Sequence, residues 1–305
     1  MCGIVGLHLK SPKYQDLLGR LLGPMLGCME TRGSDSAGLA IYEEPVPEGY
    51  FRYSVRLDGV DSTEEVKSVV AALVDELSDD LATTVTCERV RPDGAVLVAP
   101  ESMTDVTSCL AARRPDATVV AFGRHIEVVK DVGTPQEICH RHEINNRTGF
   151  QGIGHTRMAT ESAVTTDHSH PFAPYPDLAL VHNGSFSNHA TVRRWLAKEG
   201  IGCVTDNDSE VAARLVGRAL SAGASLEAAL QDMGNEMDGF YTLLVATGSE
   251  FAVMRDSFAC KPLVVAETDD YVAVTSEYIA MTSLPGIGAA TVYEPMPGEI
   301  HVWGR

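Results

Sequence analysis

The first 45 residues alternate apolar runs with a helical pattern. Residues 2–9, "CGIVGLHL", form a continuous apolar run that predicts a buried strand. Leucine and methionine side chains recur at helical spacing from Tyr14 to Glu30, and "LAIY" after the loop "TRGSDSAG" predicts a second strand. The chain is therefore expected to begin as strand, helix, loop and strand.

Residues 50–122 show a different pattern, in which apolar strand runs alternate with two helical segments. They read as strand "YSVRL", a helix over 63–77, strands "TVTCERV" and "AVLVA", a helix over 102–112 and strand "TVVAF". This order is βαββαβ, the ferredoxin-like pattern, and "RPDG" is a good turn between its middle strands. No catalytic constellation is evident within it. We predict an α+β subdomain inserted at 50–122 into a domain that otherwise spans 1–305.

The rest of the chain is rich in short strands. "HIEVVKDVG", the glycine-rich "GFQGIGHTRMAT" and "LALVHNG" precede helical patterns over 187–198 and 208–222. The last third holds five short apolar runs joined by turns, from "FYTLLVAT" to "GEIHVW". Because strands dominate both ends and helices lie between them, the pattern favours an α+β fold in which two antiparallel sheets are layered against helices.

Composition narrows the classes of function. Of the 305 residues 44% are hydrophobic and 22% charged, which is ordinary for a folded protein, and the net charge of −18 opposes binding to nucleic-acid phosphates. We expect no signal peptide, no membrane span and a cytoplasmic location. Seven cysteines without CxxC pairs predict reduced thiols rather than disulfides or a zinc site. They are Cys2, Cys28, Cys87, Cys109, Cys139, Cys203 and Cys260.

Cys2 is a candidate nucleophile. If Met1 is removed, the thiol and a free α-amine share one residue, and a terminal amine has a pKa of about 7.7 to 8.0, low enough to act as a base for its own side chain. The alternative is an ordinary buried cysteine, since free cysteine is often apolar filling. Position alone does not decide between them.

Two downstream motifs offer groups for substrate and transition state. "GHTRMAT" places Arg157 and Thr160 in a loop with His155, and a guanidinium matches a carboxylate in two-pronged fashion, although a surface ion pair is the alternative. "HNG" brings the Asn183 amide beside the Gly184 backbone N–H, a pair that can bind one oxyanion. The alternative there is a simple Asn-Gly turn.

Two further motifs contain charged or metal-ligating residue types. "TDNDSE" puts Asp208 at the mouth of a helix, where it can meet a substrate ammonium or only cap the helix. "CHRH" at 139–142 lacks the spacing of a tetrahedral zinc site, so a solvated loop is the better interpretation. We predict no metal in this chain.

The order of the motifs resembles one family, the class II glutamine amidotransferases among the N-terminal nucleophile hydrolases. The motifs that carry the resemblance are "MCGIVG", "TRGSDSAG", "GHTRMAT", "HPF", "HNG", "TDNDSE", "RDSFACKPL" and "PGEI". They cover residues 1 to about 45 and about 124 to 303, and leave out the insertion. "RDSFACKPL" and "PGEI" look closest to the amidophosphoribosyltransferase branch, whereas the length is similar to stand-alone subunits of glutamate-synthase-like complexes, including N-methylglutamate synthase.

The resemblance implies a four-layer αββα sandwich and a role for each motif residue. It makes Cys2 the nucleophile with its α-amine as base and gives Arg157, helped by Thr160, the glutamine α-carboxylate. Asn183 and Gly184 would form the oxyanion hole, Asp208 would bind the substrate ammonium, and Arg32 would have a supporting role.

The resemblance also implies hydrolysis of L-glutamine to glutamate and ammonia, with ammonia passed to a synthase subunit on another chain. Flavin and iron-sulfur centres belong to such partners, and no cofactor is expected here. One alternative is a free-standing hydrolase of γ-glutamyl amides, and another is a non-catalytic scaffold. The insertion can be a docking or regulatory surface, a tolerated loop, or a ligand sensor.

Overall fold

The computed structural model describes residues 2–60, 62–158 and 164–305. The strands are Gly3–Leu9 (β1), Ser36–Tyr42 (β2), Tyr50–Leu57 (β3), Thr86–Arg91 (β4), Gly94–Pro100 (β5), Ala117–Gly123 (β6), Ile126–Val132 (β7), Gln151–Arg157 (β8), Phe172–Tyr175 (β9), Leu178–Phe186 (β10), Gly239–Ala246 (β11), Glu250–Arg255 (β12), Val264–Glu267 (β13), Tyr271–Thr275 (β14), Thr291–Tyr293 (β15) and Ile300–Gly304 (β16). The helices are Leu18–Gly27 (α1), Thr63–Asp80 (α2), Met103–Arg113 (α3), Pro135–Arg141 (α4), His189–Lys198 (α5), Asp208–Ser221 (α6) and Leu226–Glu236 (α7). Short 3₁₀ turns lie at Pro12–Leu17, Glu30–Arg32, Ile144–Asn146, Tyr278–Met281 and Ile287–Ala289.

Two antiparallel sheets form the centre of the molecule. The first has seven strands in the order β15-β13-β14-β1-β8-β2-β7, and the second has five in the order β16-β12-β11-β10-β9. Strand β1 lies inside the first sheet between β14 and β8, and all seven of its residues are buried. A strand covered on both faces reads as a continuous apolar run, which is why the first ten residues predict it correctly.

Helices cover the outer face of each sheet. Leu22 and Met25 of α1 and Ile138 of α4 pack on the seven-stranded sheet, whereas α5, α6 and α7 pack on the five-stranded sheet. Between the sheets, side chains such as Ile4 and Phe251 form a third apolar layer. The layers therefore follow the order α, β, β, α, which confirms the α+β sandwich.

The insertion has a sheet of its own in the order β4-β5-β3-β6, with all neighbouring strands antiparallel. Along the chain its elements run β3, α2, β4, β5, α3 and β6, the predicted βαββαβ order. Val66 of α2 and Leu110 of α3 pack with Tyr53 of β3 in a separate apolar cluster. The predicted ferredoxin-like arrangement is confirmed.

A buried ion cluster joins the insertion to the sandwich. Glu127 of β7 is 1% exposed and accepts hydrogen bonds from Arg89 of β4 and from Arg147, at 3.0 Å for Arg147 Nη2 to Glu127 Oε1. Burial by itself raises the pKa of Glu127, but Arg147, Arg89 and Arg91 outweigh it and hold that pKa below its usual value. The carboxylate is therefore ionised and fully paired.

Some element predictions were wrong in detail. The helix expected over 14–30 starts as a 3₁₀ turn and becomes α-helical only over Leu18–Gly27, because apolar spacing does not separate the two helix types. The "CHRH" segment is the end of α4, with Cys139 and His142 buried, rather than a solvated loop. Its sequence signal was the capping box of Thr134 and Glu137 with proline between them. Helix α7 was also missed, although Ser225 caps it.

All seven cysteines are free thiols. Within the part of the chain that the structure describes, none of the helices combines the length and apolar character needed to cross a bilayer.

Candidate active site

The ends of three central strands and the start of one helix meet around a cavity of about 500 Å³. Strands β1 and β8 bring the seven-stranded sheet to it, and β10 and α6 bring the five-stranded sheet and its helices. The described lining residues are Cys2, Arg157, Met158, His170, His182, Gly184, Ser185, Phe186, His189, Asp206, Asn207, Asp208 and Ser209. Four residues singled out from the sequence, Cys2, Arg157, Gly184 and Asp208, therefore share one cavity.

Cys2 stands just before β1 and is half-buried. The antiparallel register pairs Gly3 with Thr156, which places Cys2 beside the end of β8. A Cβ on Gly3 would lie 2.7 Å from Met29 Cβ and 2.8 Å from Thr156 Oγ1, so only glycine fits behind the cysteine. Close backbone packing thus fixes where the thiol emerges. Met1 lies outside the described residues.

Arg32 and Asn183 hold the Cys2 backbone from two sides. Arg32 Nε donates to the Cys2 carbonyl at 2.9 Å, and Asn183 Nδ2 donates to the same oxygen at 3.1 Å. Arg32 is itself fixed by Glu277, with Nη1 2.7 Å from Oε1. Arg32 is thus in direct contact with Cys2, and its supporting role stays a prediction. No sequence signal pointed to Glu277, which is 245 residues away from Arg32.

Arg157 ends strand β8 and reaches the cavity while remaining only 5% exposed. The sequence interpretation of this segment as a loop was wrong, because His155 and Arg157 both lie in β8 and pair with β2. A guanidinium held on a central strand is positioned more rigidly than one on a loop, and its burial argues against a surface ion pair. Thr160 lies outside the described residues.

Asn183 and Gly184 lie within strand β10 rather than in a turn. The strand continues to Phe186, and β11 pairs with it throughout this stretch, so the alternative of a simple Asn-Gly turn was wrong. Gly184 has φ +150°, and a Cβ there would lie 2.1 Å from Phe240 O. Only glycine is accommodated, and it lines the cavity, whereas Asn183 lies behind it against Cys2.

Asp208 is the first residue of α6, and the N-cap is Asn207, whose side chain accepts from Ser209 N at 2.9 Å. The capping interpretation of Asp208 was therefore wrong. Its carboxylate accepts instead from Phe186 N at 2.9 Å and from Ser209 Oγ at 3.2 Å. His182 Nδ1 lies 2.8 Å from Ser209 Oγ, which completes a chain of hydrogen bonds across the two elements. Asp208 is thus held at the cavity wall with part of its carboxylate exposed.

Three buried histidines stand between the sheets beside this cavity, a grouping that sequence reasoning missed. The His155 and His170 ring centroids are 4.0 Å apart, and those of His170 and His182 are 6.5 Å apart. His155 Nε2 donates to the His182 carbonyl at 3.0 Å. Burial lowers the pKa of His155 to about 3, and it also lowers the pKa of His170 and of His182. All three rings are neutral near pH 7.

These histidines belong to motifs that the sequence displays, but the sequence does not indicate which side chains they contact. His170 belongs to "HPF" and His182 to "HNG", yet nothing in the chain order says that the two rings approach each other. Among the residues that the structure describes, no three or more His, Cys, Asp and Glu side chains form a group able to hold a metal ion. The cavity therefore offers a thiol, a guanidinium, a carboxylate and backbone donors.

A family model described as a glutamine amidotransferase domain matches residues 155–283. The chain is 44% identical over 306 residues to a glutamine amidotransferase-like protein, GlxB, of Rhizobium meliloti, covering 99% of this chain and 98% of that one. It is 32% identical to a putative glutamine amidotransferase of Methanothermobacter thermautotrophicus, covering 99% of both chains.

Solved structures agree on the fold. Glutamine phosphoribosylpyrophosphate amidotransferase from B. subtilis superposes with a TM-score of 0.60 at 19% identity, covering 98% of this chain. This chain spans 46% of that enzyme's length. The near-complete match to GlxB, together with the αββα sandwich, shows that the chain belongs to the class II glutamine amidotransferases.

Proposed function

We propose that this chain hydrolyses L-glutamine at Cys2 and passes the ammonia to a synthase subunit on another chain. The observation that carries the first half is the single cavity lined by Cys2, Arg157, Gly184 and Asp208. These groups supply a nucleophile, a cation for a carboxylate, an oxyanion donor and an anion for an ammonium. This combination of groups matches a substrate that is a free amino acid with a side-chain amide.

Removal of Met1 makes Cys2 both nucleophile and base. The α-amine takes the thiol proton, and the sulfur forms a bond to the side-chain amide carbon of glutamine. The carbonyl electrons move to oxygen and return as the C–N bond breaks, with the amine's proton passing to the leaving nitrogen. Ammonia departs and a thioester remains. Water then attacks the thioester, the C–S bond breaks, and glutamate and the thiol are released.

The oxyanion is assigned to Asn183 and Gly184. One amide hydrogen of Asn183 is donated to the Cys2 carbonyl, and the second is assigned to the oxyanion together with the Gly184 N–H. This arrangement ties the position of the donor directly to the residue that carries the nucleophile. It is supported by the strand geometry of β10, which is rigid because β11 pairs with it throughout.

Substrate recognition is assigned to the two charged side chains of the cavity. Arg157 binds the α-carboxylate with help from Thr160, and Asp208 binds the α-ammonium. Arg157 lies in the seven-stranded sheet and Asp208 begins α6, which packs on the five-stranded sheet, so glutamine would lie across the seam between the two sheets. Arg32 positions Cys2 through its carbonyl rather than touching the substrate.

The ammonia acceptor is proposed to be a glutamate-synthase-like partner, with N-methylglutamate synthase as the specific candidate. Flavin and iron-sulfur centres are proposed for those subunits, and no cofactor for this chain. We place the complex in the cytoplasm, where the seven free thiols would stay reduced.

The nucleophile is tested with Cys2→Ala, and Cys28→Ala, at an exposed free thiol, serves as control. We expect glutamate formation from glutamine to fall to background in Cys2→Ala and to stay at the wild-type rate in Cys28→Ala. Intact mass of the wild-type protein should show loss of one methionine. Activity retained in Cys2→Ala, or in a protein that keeps Met1, contradicts the assignment.

The partner is tested by tagging this chain in its native cells and measuring what co-purifies. We expect subunits with flavin and iron-sulfur absorbance, and a glutaminase rate that rises when they are present. A lone protein that is fully active and prefers other γ-glutamyl amides to glutamine would instead support the free-standing hydrolase. If the protein shows no glutaminase activity, either alone or with its partners, the result would support the scaffold.

A further inference from the structure

Lys130 of β7 is a buried cation that the glutamine cavity does not use. Its side chain lies over the Phe172 ring, with Nζ 5.0 Å from the ring centroid, and the residue is 8% exposed. Nζ donates to two backbone carbonyls, those of Ser169 at 3.0 Å and Asp167 at 3.3 Å. Among residues 2–60, 62–158 and 164–305, no carboxylate oxygen comes within 4.0 Å of it. An ammonium has three hydrogens, so one is left over.

Such an ammonium is energetically unusual. Buried charges in proteins are normally paired with an opposite charge, because carbonyl groups alone replace only part of the lost hydration. Burial lowers the pKa of Lys130 to about 8, although Asp167 and Glu210 act in the opposite direction. An anion placed against Nζ would relieve this penalty.

Space for such an anion exists beside Lys130. A cavity of about 200 Å³ separates the insertion from β9 and α6. The insertion contributes Met103, Thr118, Val119, Val120 and Phe122, and the sandwich contributes Lys130, Asp167, Phe172, Ala173, Pro174, Val204, Thr205, Glu210 and Arg214. Most of these side chains are apolar, so the cavity suits a small molecule with an apolar body and one charged end.

The acidic groups of this cavity already have partners. Glu210 accepts from Val204 N at 2.8 Å, Thr205 N at 2.7 Å and Arg214 Nη2 at 3.1 Å. Asp167 pairs with Arg56 of β3, with Nη1 2.7 Å from Oδ1. Among the charged groups of this cavity that the structure describes, the Lys130 ammonium is therefore the one without an opposite charge, so a ligand that pairs with it must carry a negative charge.

We propose that the cavity between the insertion and the sandwich binds a small carboxylate with a short apolar body, its carboxylate at Lys130. The apolar body packs against Val119, Phe122 and Phe172. An amino acid and a 2-oxo acid share this chemistry, and the volume limits either one to a short side chain.

The site is connected to glutamine hydrolysis through two backbone segments. The segment 167–170 contains the carbonyls that accept hydrogen bonds from Lys130 Nζ. It ends at His170, which lines the glutamine cavity. Residues 205–208 run from Thr205 in this cavity to Asp208 in the other. Occupancy is therefore expected to change the KM for glutamine, which makes the insertion a sensor for the sandwich.

Binding is measured by titration calorimetry on the full chain with three probes that share a carbon skeleton: 2-oxoisovalerate, L-valine and L-valinamide. We expect at least one of the two acids to bind and the amide, which lacks the carboxylate, not to bind. A preference for valine identifies an amino acid as the source, and a preference for 2-oxoisovalerate identifies an oxo acid. Failure of both acids to bind the wild-type chain overturns the proposal.

Variants locate the bound carboxylate. Lys130→Met keeps an unbranched apolar stem and removes the charge, and we expect affinity to fall at least tenfold. Met103→Trp narrows the cavity from the insertion side and should block binding. It tests the site independently if Lys130→Met does not fold. Lys67→Met removes an exposed lysine of α2 and should leave affinity unchanged. Equal affinity in wild type, Lys130→Met and Met103→Trp overturns the site.

Coupling has a separate readout. With an acid that binds, we expect the KM for glutamine to change at least threefold in wild type and not in Lys130→Met. An unchanged KM despite calorimetric binding would refute the coupling and leave the site in place. Calorimetry does not depend on turnover, so it tests the site even if the proposed glutaminase activity fails.

Discussion

Arg157 is a single residue whose replacement separates charge from geometry. Its planar guanidinium can hold both oxygens of a carboxylate, whereas lysine offers a point charge on a flexible stem. We expect Arg157→Lys to raise the KM for glutamine about tenfold, since roughly one charge-assisted hydrogen bond is lost, with a smaller effect on kcat. Steady-state kinetics measure this. Arg20→Lys, at an exposed position of α1, is the control, and an unchanged KM in Arg157→Lys contradicts the assignment.

Asn183 tests the transition state rather than substrate binding. Loss of one oxyanion donor typically costs roughly 3 to 4 kcal/mol, so kcat should fall a hundredfold or more in Asn183→Ala, with little change in KM. Because Asn183 also holds the Cys2 carbonyl, Asn183→Asp is made in parallel. It keeps the shape and loses the donor, and should be as slow. A thermal midpoint near wild type in either slow variant separates catalysis from folding, and near-normal kcat in Asn183→Asp argues against the oxyanion role.

At the scale of elements, the start of α6 links helix stability to the position of Asp208, to which we assign the substrate ammonium. The Asn207 cap accepts from Ser209 N and sets the geometry of the first turn, which carries Asp208. Asn207→Ala should cost about 1 kcal/mol of folding free energy and raise the KM for glutamine severalfold. Ser225→Ala removes the cap of α7, where Oγ accepts from Ala228 N, at a similar cost. Urea unfolding and glutamine kinetics compare the two. An equal KM in both variants would show that the cap does not position Asp208.

The elements also show what sequence pattern can and cannot specify. Strand β1 was predictable because it is a continuous apolar run, and the βαββαβ insertion because its helices and strands carry recognisable apolar patterns separated by turn residues. Helix α4 was not recognised, because seven residues give too little periodicity to predict a helix. Its last residues also form the Cys-His motif, which was considered only as a metal site or a loop. His155 and Arg157 were placed in a loop, because glycine-rich strands lack the usual β-branched signal.

At the scale of the whole molecule, the site exists only because two sheets stack. Cys2 and Arg157 come from one sheet and Gly184 and Asp208 from the side of the other, so no local pattern places them together. The order of motifs identified the cavity through resemblance to a family. The histidine cluster, Glu277 and the Lys130 cavity were not identified in this way, since they depend on contacts between segments far apart in sequence.

The histidine cluster also predicts how stability depends on pH. Burial lowers the pKa of His155 to about 3 and also lowers the pKa of His170 and His182, whereas an unfolded histidine titrates near 6.5. Below about pH 6.5 the unfolded chain therefore binds more protons than the folded one. Stability contributed by the neutral rings is complete above this pH and is lost as pH falls. For three rings the loss between pH 7.5 and 5.5 is up to about 4 kcal/mol.

Urea titrations at pH 7.5, 6.5 and 5.5 measure this dependence, and one substitution isolates the cluster. His170 stands against the Phe172 ring, and neither of its ring nitrogens has a hydrogen-bond partner among the described residues, so leucine can replace it without orphaning another group. His170→Leu should reduce the pH-dependent loss by about 1.4 kcal/mol, one ring's share. A His170→Leu protein with the wild-type slope would mean that its ring takes up a proton in the folded state as readily as in the unfolded chain.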